Sequence, residues 1–125
     1  MAILSDILSD VRRRMAESLD VRTVITGDAD VPASLLPAAK ILLVPVAADS
    51  VSRAVTTLDA QVKIQLEFPP KTDEAMRNEF AHKAVAALMT DGYPQRSRIL
   101  KSPLVKHKNG GVSIVATIRW SERSE

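Results

Sequence analysis

Hydrophobic and polar residues alternate without a break in Gln61-Val62-Lys63-Ile64-Gln65-Leu66-Glu67-Phe68. Side chains of a strand alternate between its two faces, so Val62, Ile64, Leu66 and Phe68 share one side and Gln61, Lys63, Gln65 and Glu67 the other. The pattern predicts a sheet with one buried and one wet face. Pro69-Pro70 ends the strand, because proline cannot donate to the ladder. Thr72 is placed as the N-cap of a following helix, with Asp73 and Glu74 in a first turn where carboxylates suit the dipole. Met76, Phe80, Ala84, Val85, Leu88 and Met89 recur on one helical face, and Gly92 is placed to close the end. An apolar strand face followed directly by an apolar helix face predicts that this helix folds back onto the sheet.

Earlier in the chain, Ile3, Leu4, Ile7, Leu8, Val11, Met15 and Leu19 recur at three- and four-residue spacing, which predicts an amphipathic helix over residues 3–19. Asp6 and Asp10 lie early and Arg12, Arg13 and Arg14 later, as the dipole favours. Three consecutive arginines suggest phosphate binding only if they share a face, and at about 100° per residue they fan around the helix instead. A solvated face with ion pairs to Glu17 and Asp10 is the reading this geometry favours. From Asp20 to Lys40, Gly27, Asp28, Asp30, Pro32 and Pro37 punctuate a long connection, in which Val21 to Ile25 reads as a short extended piece. Connections of this length inside a compact domain often carry an interaction. Asp28 and Asp30 lack the remaining ligand spacing of a calcium loop, so turn chemistry accounts for them.

Ile41 to Val46 is a continuous apolar run broken only by Pro45. Its length and branching suit a strand that is apolar on both faces, while Pro45 confines it to an edge or a bulge. An edge strand rarely buries both faces, and pairing with another subunit resolves that conflict. Ile41, Leu43 and Pro45 are therefore candidate interface residues, and a charge at Leu43 is expected to disturb assembly more than folding. Ala47 to Asp59 is small and polar; it either extends both strands as a long hairpin or holds a loop. Farther on, Ile99, Leu100, Leu104 and Val105 interleave with charges, which predicts a strand interrupted at Pro103. Asn109-Gly110-Gly111 is a tight-turn signal. Val112, Ile114, Ala116, Ile118 and Trp120 alternate along a last strand, and Ser121 to Glu125 reads as a polar tail.

Composition narrows the function classes. The 125 residues are 46% hydrophobic and 26% charged, the balance of one ordinary globular domain. Without cysteine there is neither a disulfide framework nor a thiolate metal site. No apolar run approaches the roughly 20 residues that span a bilayer. The formal charge is only +2 and aromatics are 3%, which disfavours both broad nucleic-acid binding and a base-stacking platform. Locally, however, Arg96, Arg98, Lys101, Lys106, His107 and Lys108 form a basic segment containing no acid. Its plain reading is protection of an exposed strand edge; its sharper one is contact with an acidic partner or with DNA. No phosphate loop, dinucleotide turn, zinc-protease pair or nucleophile elbow is present. His82 reads as a helix-surface residue, and His107 lies on a distant segment. No enzyme activity, cofactor or metal is expected.

The order helix, long proline-containing connection, two strands, helix and two strands predicts an α+β domain over residues 1–125. Its expected sheet is four-stranded and mainly antiparallel, with both helices packed on one face. This order resembles the small tail-terminator (tail-completion) proteins of long-tailed bacteriophages and the related minor tail proteins. The likeness rests also on the approach from Leu35-Leu36-Pro37 to Val46, on Val62 to Phe68 running directly into a long helix, and on the closing Ser102-Pro103-Leu104-Val105 to Trp120. It covers most of the chain and rests on patterns rather than a catalytic signature. The resemblance implies a virion protein, made in the host cytoplasm, that forms a homo-hexameric ring at the head-proximal end of the tail tube. Such a ring stops tube polymerisation and presents a surface to the head or neck.

The partners so implied are further copies of itself, the tail tube protein, a neck or head-completion protein, and sheath protein where the tail contracts. DNA enters only in passage through the lumen, and no membrane is involved. Closing a ring demands two different subunit faces, for which Ile41 to Val46 and the basic segment (Arg96, Arg98, Lys101, Lys106 and Lys108) are the candidates. A basic lining would attract DNA where a neutral or acidic one lets it slide, so the basic segment is expected outside the ring or at an interface. A head–tail neck adaptor is the alternative within the same class. A small basic nucleic-acid-binding domain is the alternative from another.

Overall fold

The computed structural model describes residues 3–27, 29–50, 55–89, 96–108 and 110–123. Helix α1, Ile3–Ser18, buries Ile7, Val11 and Met15, and Leu19 continues the same face just beyond its end. Spacings of three and four residues align these side chains on one stripe. Strand β1, Thr23–Thr26, follows, then a 3-10 turn at Ala33–Leu35 and a cis peptide at Leu36–Pro37. Strands β2 (Ala38–Ser50) and β3 (Val55–Glu67), helix α2 (Glu74–Leu88), and strands β4 (Arg96–Lys108) and β5 (Gly111–Arg123) complete the chain.

The sheet is five-stranded, in the order β1-β2-β3-β5-β4. It is mixed, because β1 runs parallel to β2 while every other pairing is antiparallel. The pattern of the sequence predicts four strands; the fifth is Thr23–Thr26, which overlaps the Val21 to Ile25 piece read as merely extended and runs one residue past it. Four residues are too few for a period, and the β-branched Thr-Val-Ile-Thr finds its ladder only once β2 is beside it.

The core lies on one face of the sheet. Ile64 of β3 sits between Ile41 of β2 and Ile114 of β5, and all three are fully buried. Burying each such side chain contributes about 1.5–3 kcal/mol. Helices α1 and α2 pack against one another over this face, α1 on β1 and β2 and α2 on β5. Helix α2 buries Phe80, Ala81, Ala84, Ala87 and Leu88; its alanines let it approach closely. Met76 and Met89, expected on that stripe, are exposed.

The helix cap also differs from expectation by one residue. Asp73 is the N-cap, its Oδ1 accepting from the Met76 N–H at 2.8 Å. Thr72 instead donates its hydroxyl to the Pro69 carbonyl at 2.7 Å and closes the turn before the helix. The edge-to-face contact of Phe68 and Phe80, 5.3 Å between centroids, ties the strand's end to the helix. Gly92 and Tyr93 lie outside the described residues.

Two long hairpins dominate the sheet. Ala47 pairs with Asp59 and Ala48 with Leu58, so the small, polar stretch extends both strands. Pro45 lies at a register shift, as a residue without an N–H requires. Strand β4 continues through Pro103, with register irregularities absorbing the proline rather than ending the strand. Lys108 pairs with Gly111, which leaves a two-residue turn containing Gly110 at φ +77°, a conformation favouring glycine. Strand β5 runs on to Arg123 where a tail was expected from Ser121. At about 3.3 Å per residue each 13-residue strand is about 43 Å long, against about 24 Å for the 16-residue helix α1. The helices therefore leave part of the sheet uncovered, including Val105 on the helix side of β4, which is 37% exposed.

Candidate assembly and interaction surfaces

Strand β1 pairs with β2 only from Ala38 to Ile41. Among the described residues nothing covers the outer edge of β2 from Leu42 onward. Parity then sorts the apolar run. Ile41 and Leu43 face the helices, Ile41 fully buried and Leu43 half-buried against the core. Leu42 and Val44 face the opposite side and are exposed, as are Pro45 and, at 61%, Val46 beside the register shift. The run is thus apolar on both faces but buried on one. Leu43→Asp would strike the core as well as any contact, so Val44 isolates the exposed side better.

Arg98, Lys101 and Lys106 of the basic segment fall on that same helix-free face, while His107, paired with Val112, falls on the helix side. Register pairs Arg98 with Arg119, Lys101 with Thr117 and Lys106 with Ser113, all positions facing away from the buried row Val112, Ile114, Ala116, Ile118 and Trp120. Arg96 pairs with Ser121 and Lys108 with Gly111 at the two ends of β4. Lys63 and Gln65 of β3 lie on this face too, both exposed. Arg119 holds Asp59 through a two-pronged contact, Nε to Oδ1 at 2.7 Å and a terminal nitrogen to Oδ2 at 3.0 Å. Lys40, buried, meets Glu67 at 3.1 Å. Asp59 and Glu67 of this face are thereby engaged, while Lys63, Arg98, Lys101 and Lys106 have no ion pair among the described residues.

The Arg119 hydrogen bonds hold the Asp59 carboxyl below its ordinary value, its partial burial opposing them. A depressed carboxylate pKa contributes stability above the unfolded value, near 3.8, and loses it as pH falls through the folded value. We expect the Asp59 carboxyl midpoint, followed by NMR, to lie below 3.8 and to rise in Arg119→Ala. An unchanged midpoint in that variant would show that the pair is open in solution.

The three arginines of α1 have separate fates. Arg12 is exposed and reaches the Val24 carbonyl at 3.5 Å. Arg13 bridges Asp10 at 2.6 Å and Glu17 at 3.3 Å, which raises its pKa through the Asp10 hydrogen bond first. Arg14 is buried. It donates to the Ala87 and Leu88 carbonyls at 3.3 and 3.5 Å, supplying the positive charge that the C-terminus of α2 favours. It also lies 2.9 Å from Asp10, close enough for an ion pair but not aligned for a hydrogen bond. Asp10 and Arg13 pair as the sequence predicts; the cap on α2 was not foreseen.

A concavity of about 630 Å³ at the end of the sheet is lined by Leu36, Glu67, Phe68, Gly110 and Ser113 among others. Its carboxylate, Glu67, is taken by Lys40, so it offers no free acid–base pair. His82 and His107 are exposed on a helix and a strand. Among the described residues no cluster of His, Asp or Glu is arranged to hold a metal ion. No described helix is long and apolar enough to cross a membrane.

Neither a protein-family model nor a curated protein sequence matches the chain. Its fold does resemble a chain from a solved structure of the virion of a native gene transfer agent particle, with a TM-score of 0.54. Identity there is 13%, and the superposition covers 98% of each chain. At that identity the likeness is one of fold.

Proposed function

We propose that this chain is a structural protein of a phage-like virion. It closes the head-proximal end of a tail tube as a six-subunit ring, ends tube polymerisation and presents the surface that joins neck or head. The observation that carries this reading is the full-length likeness of fold to a chain of a gene transfer agent virion.

The two edges of the sheet support a ring. Strands β2 and β5 run one way and β3 and β4 the other. Rotation about an axis along the strands preserves these directions, so β4 of one copy meets β2 of the next antiparallel, as a ladder permits. Because the edges differ, the contact is heterologous, the kind that gives a ring wherever its rotation closes. One copy contributes the β2 edge beyond Ile41, which is itself buried and covered by β1: the half-buried Leu43 and the exposed Leu42, Val44, Pro45 and Val46. The next contributes the β4 edge with Arg96, Arg98, Lys101, Lys106 and Lys108. Tube protein, neck protein and, in a contractile tail, sheath protein meet the remaining surfaces of the ring.

Electron microscopy of tails assembled with and without the protein tests this. Tubes of uncontrolled length are expected in its absence; controlled length would overturn the reading. Tubes of normal length that fail to join heads would assign the chain to a neck adaptor. Val44→Asp should keep the native thermal midpoint yet fail to terminate tubes.

A further inference from the structure

We infer that the helix-free face of the sheet is a binding surface for the sugar–phosphate backbone of duplex DNA. Four exposed cations, Lys63, Arg98, Lys101 and Lys106, share this face without an ion pair among the described residues, while Asp59 and Glu67 are held by Arg119 and Lys40. Net positive charge is therefore concentrated on one side of a chain whose overall charge is only +2. Beside them lie Gln61, Gln65, Ser113 and Thr117, polar groups of the kind that contact phosphate oxygens, together with Val115 opposite Lys63 and the exposed Leu104 opposite Val115.

The character of the face selects among acidic partners. Phe68, Phe80 and Trp120 belong to the helix side, so among the described residues this face has no ring on which an unpaired base could stack, and single strands are poorly served. Protein interfaces are depleted in lysine; here three of the four exposed cations, Lys63, Lys101 and Lys106, are lysines. Arg98 and Lys106 stand opposite Arg119 and Ser113, which at strand rise are about 20 Å apart along β5. That is less than the roughly 34 Å of one helical turn, so the strip reaches phosphates across a groove without following either strand. Binding is accordingly indifferent to sequence.

This inference deepens the ring reading, since it names what the face would meet in a tail, but it stands on the face alone. It also departs from the expectation that the basic segment lies away from DNA: register puts Arg98, Lys101 and Lys106 of that segment on the same face as Lys63. A surface attracting phosphate suits holding DNA more than letting it slide.

The test is fluorescence anisotropy of the full chain with a random-sequence duplex of about 30 bp, titrated between about 50 and 200 mM salt. Four phosphate contacts predict a log–log slope of about −4 and a loss of affinity of roughly a hundredfold over that range. In the double variant Lys101→Glu, Lys106→Glu, the slope should fall to about −2 and the loss to roughly tenfold. Lys83→Glu, on exposed α2 beside Glu79, should match the unmodified chain. No binding at the low-salt end, or an equal effect of Lys83→Glu, overturns the inference. Competition by polyglutamate as effective per charge as by DNA overturns it in favour of an acidic protein partner. Lys63→Glu, on the central strand β3 and outside both ring edges, should weaken DNA binding while tubes still terminate, which separates the inference from the assembly reading. Unchanged DNA binding in that variant overturns the inference.

Discussion

Asp10→Ala is expected to lower the unfolding free energy by about 3–5 kcal/mol, because it leaves a buried guanidinium without its counter-charge. The side chain of Asp10 is 4% exposed and that of Arg14 7%. With the carboxylate gone, Arg14 retains only the Ala87 and Leu88 carbonyls, at 3.3 and 3.5 Å. For a domain of this size the thermal midpoint should drop by roughly 10–20 °C. Arg14→Met should be much milder, about 1–2 kcal/mol, because it removes the desolvated charge together with its need for a partner and keeps an apolar stem. Asp10 would then still hold Arg13 at 2.6 Å. Urea unfolding followed by circular dichroism measures both. If Asp10→Ala is the milder of the two, Arg14 is not held by Asp10 in solution, and its role reduces to the cap on α2.

Trp120→Ala should cost a comparable amount, about 3–5 kcal/mol, by emptying the largest fully buried position in the core. The indole faces Leu58 across the seam of β3 and β5, and its Nε1 finds no acceptor among the described residues. That unmatched donor makes a second, sharper expectation. Trp120→Phe removes the N–H as well as part of the ring, so relief of the unsatisfied donor offsets part of the lost volume. Its cost should stay below about 1.5 kcal/mol, in the range of tolerated core swaps. A Trp120→Phe loss as large as that of Trp120→Ala would mean that the indole nitrogen has a partner after all, such as an ordered water.

Long periodic segments were the legible part of this chain. The alternation through Val62, Ile64 and Leu66, and again through Ile114, Ala116 and Ile118, identifies central strands because each is flanked by partners on both sides and buried on one face. What escaped depended on distance along the chain. The cap of Arg14 on α2 needs carbonyls from Ala87 and Leu88, which no local spacing reveals. Thr23–Thr26 becomes a strand because β2 comes beside it. Thr72 and Asp73 both carry capping chemistry, and the turn at Pro69 decides between them by taking the Thr72 hydroxyl. For the surfaces, residue types were readable but sides were not. Arg98, Lys101 and Lys106 share a face with Lys63 only because the β4 register skips at Ile99–Lys101 and Lys101–Leu104.

The seam between the two hairpins has a kinetic consequence. Within a hairpin, pairing is nearly local: Lys108 meets Gly111 across one turn. The seam instead joins Gln61 to Thr117, with α2 and all of β4 threaded between them. Pairings this remote in sequence carry a loop-closure cost before any contact rewards them, and they slow folding. Until the seam closes, the inner margins of β3 and β5 are bare, with Ile64 and Ile114 beside them. Newly made chains therefore pass through a stage in which their most adhesive strands are open to one another. At high concentrations of newly made chain, the yield of folded protein depends on how quickly that gap shuts.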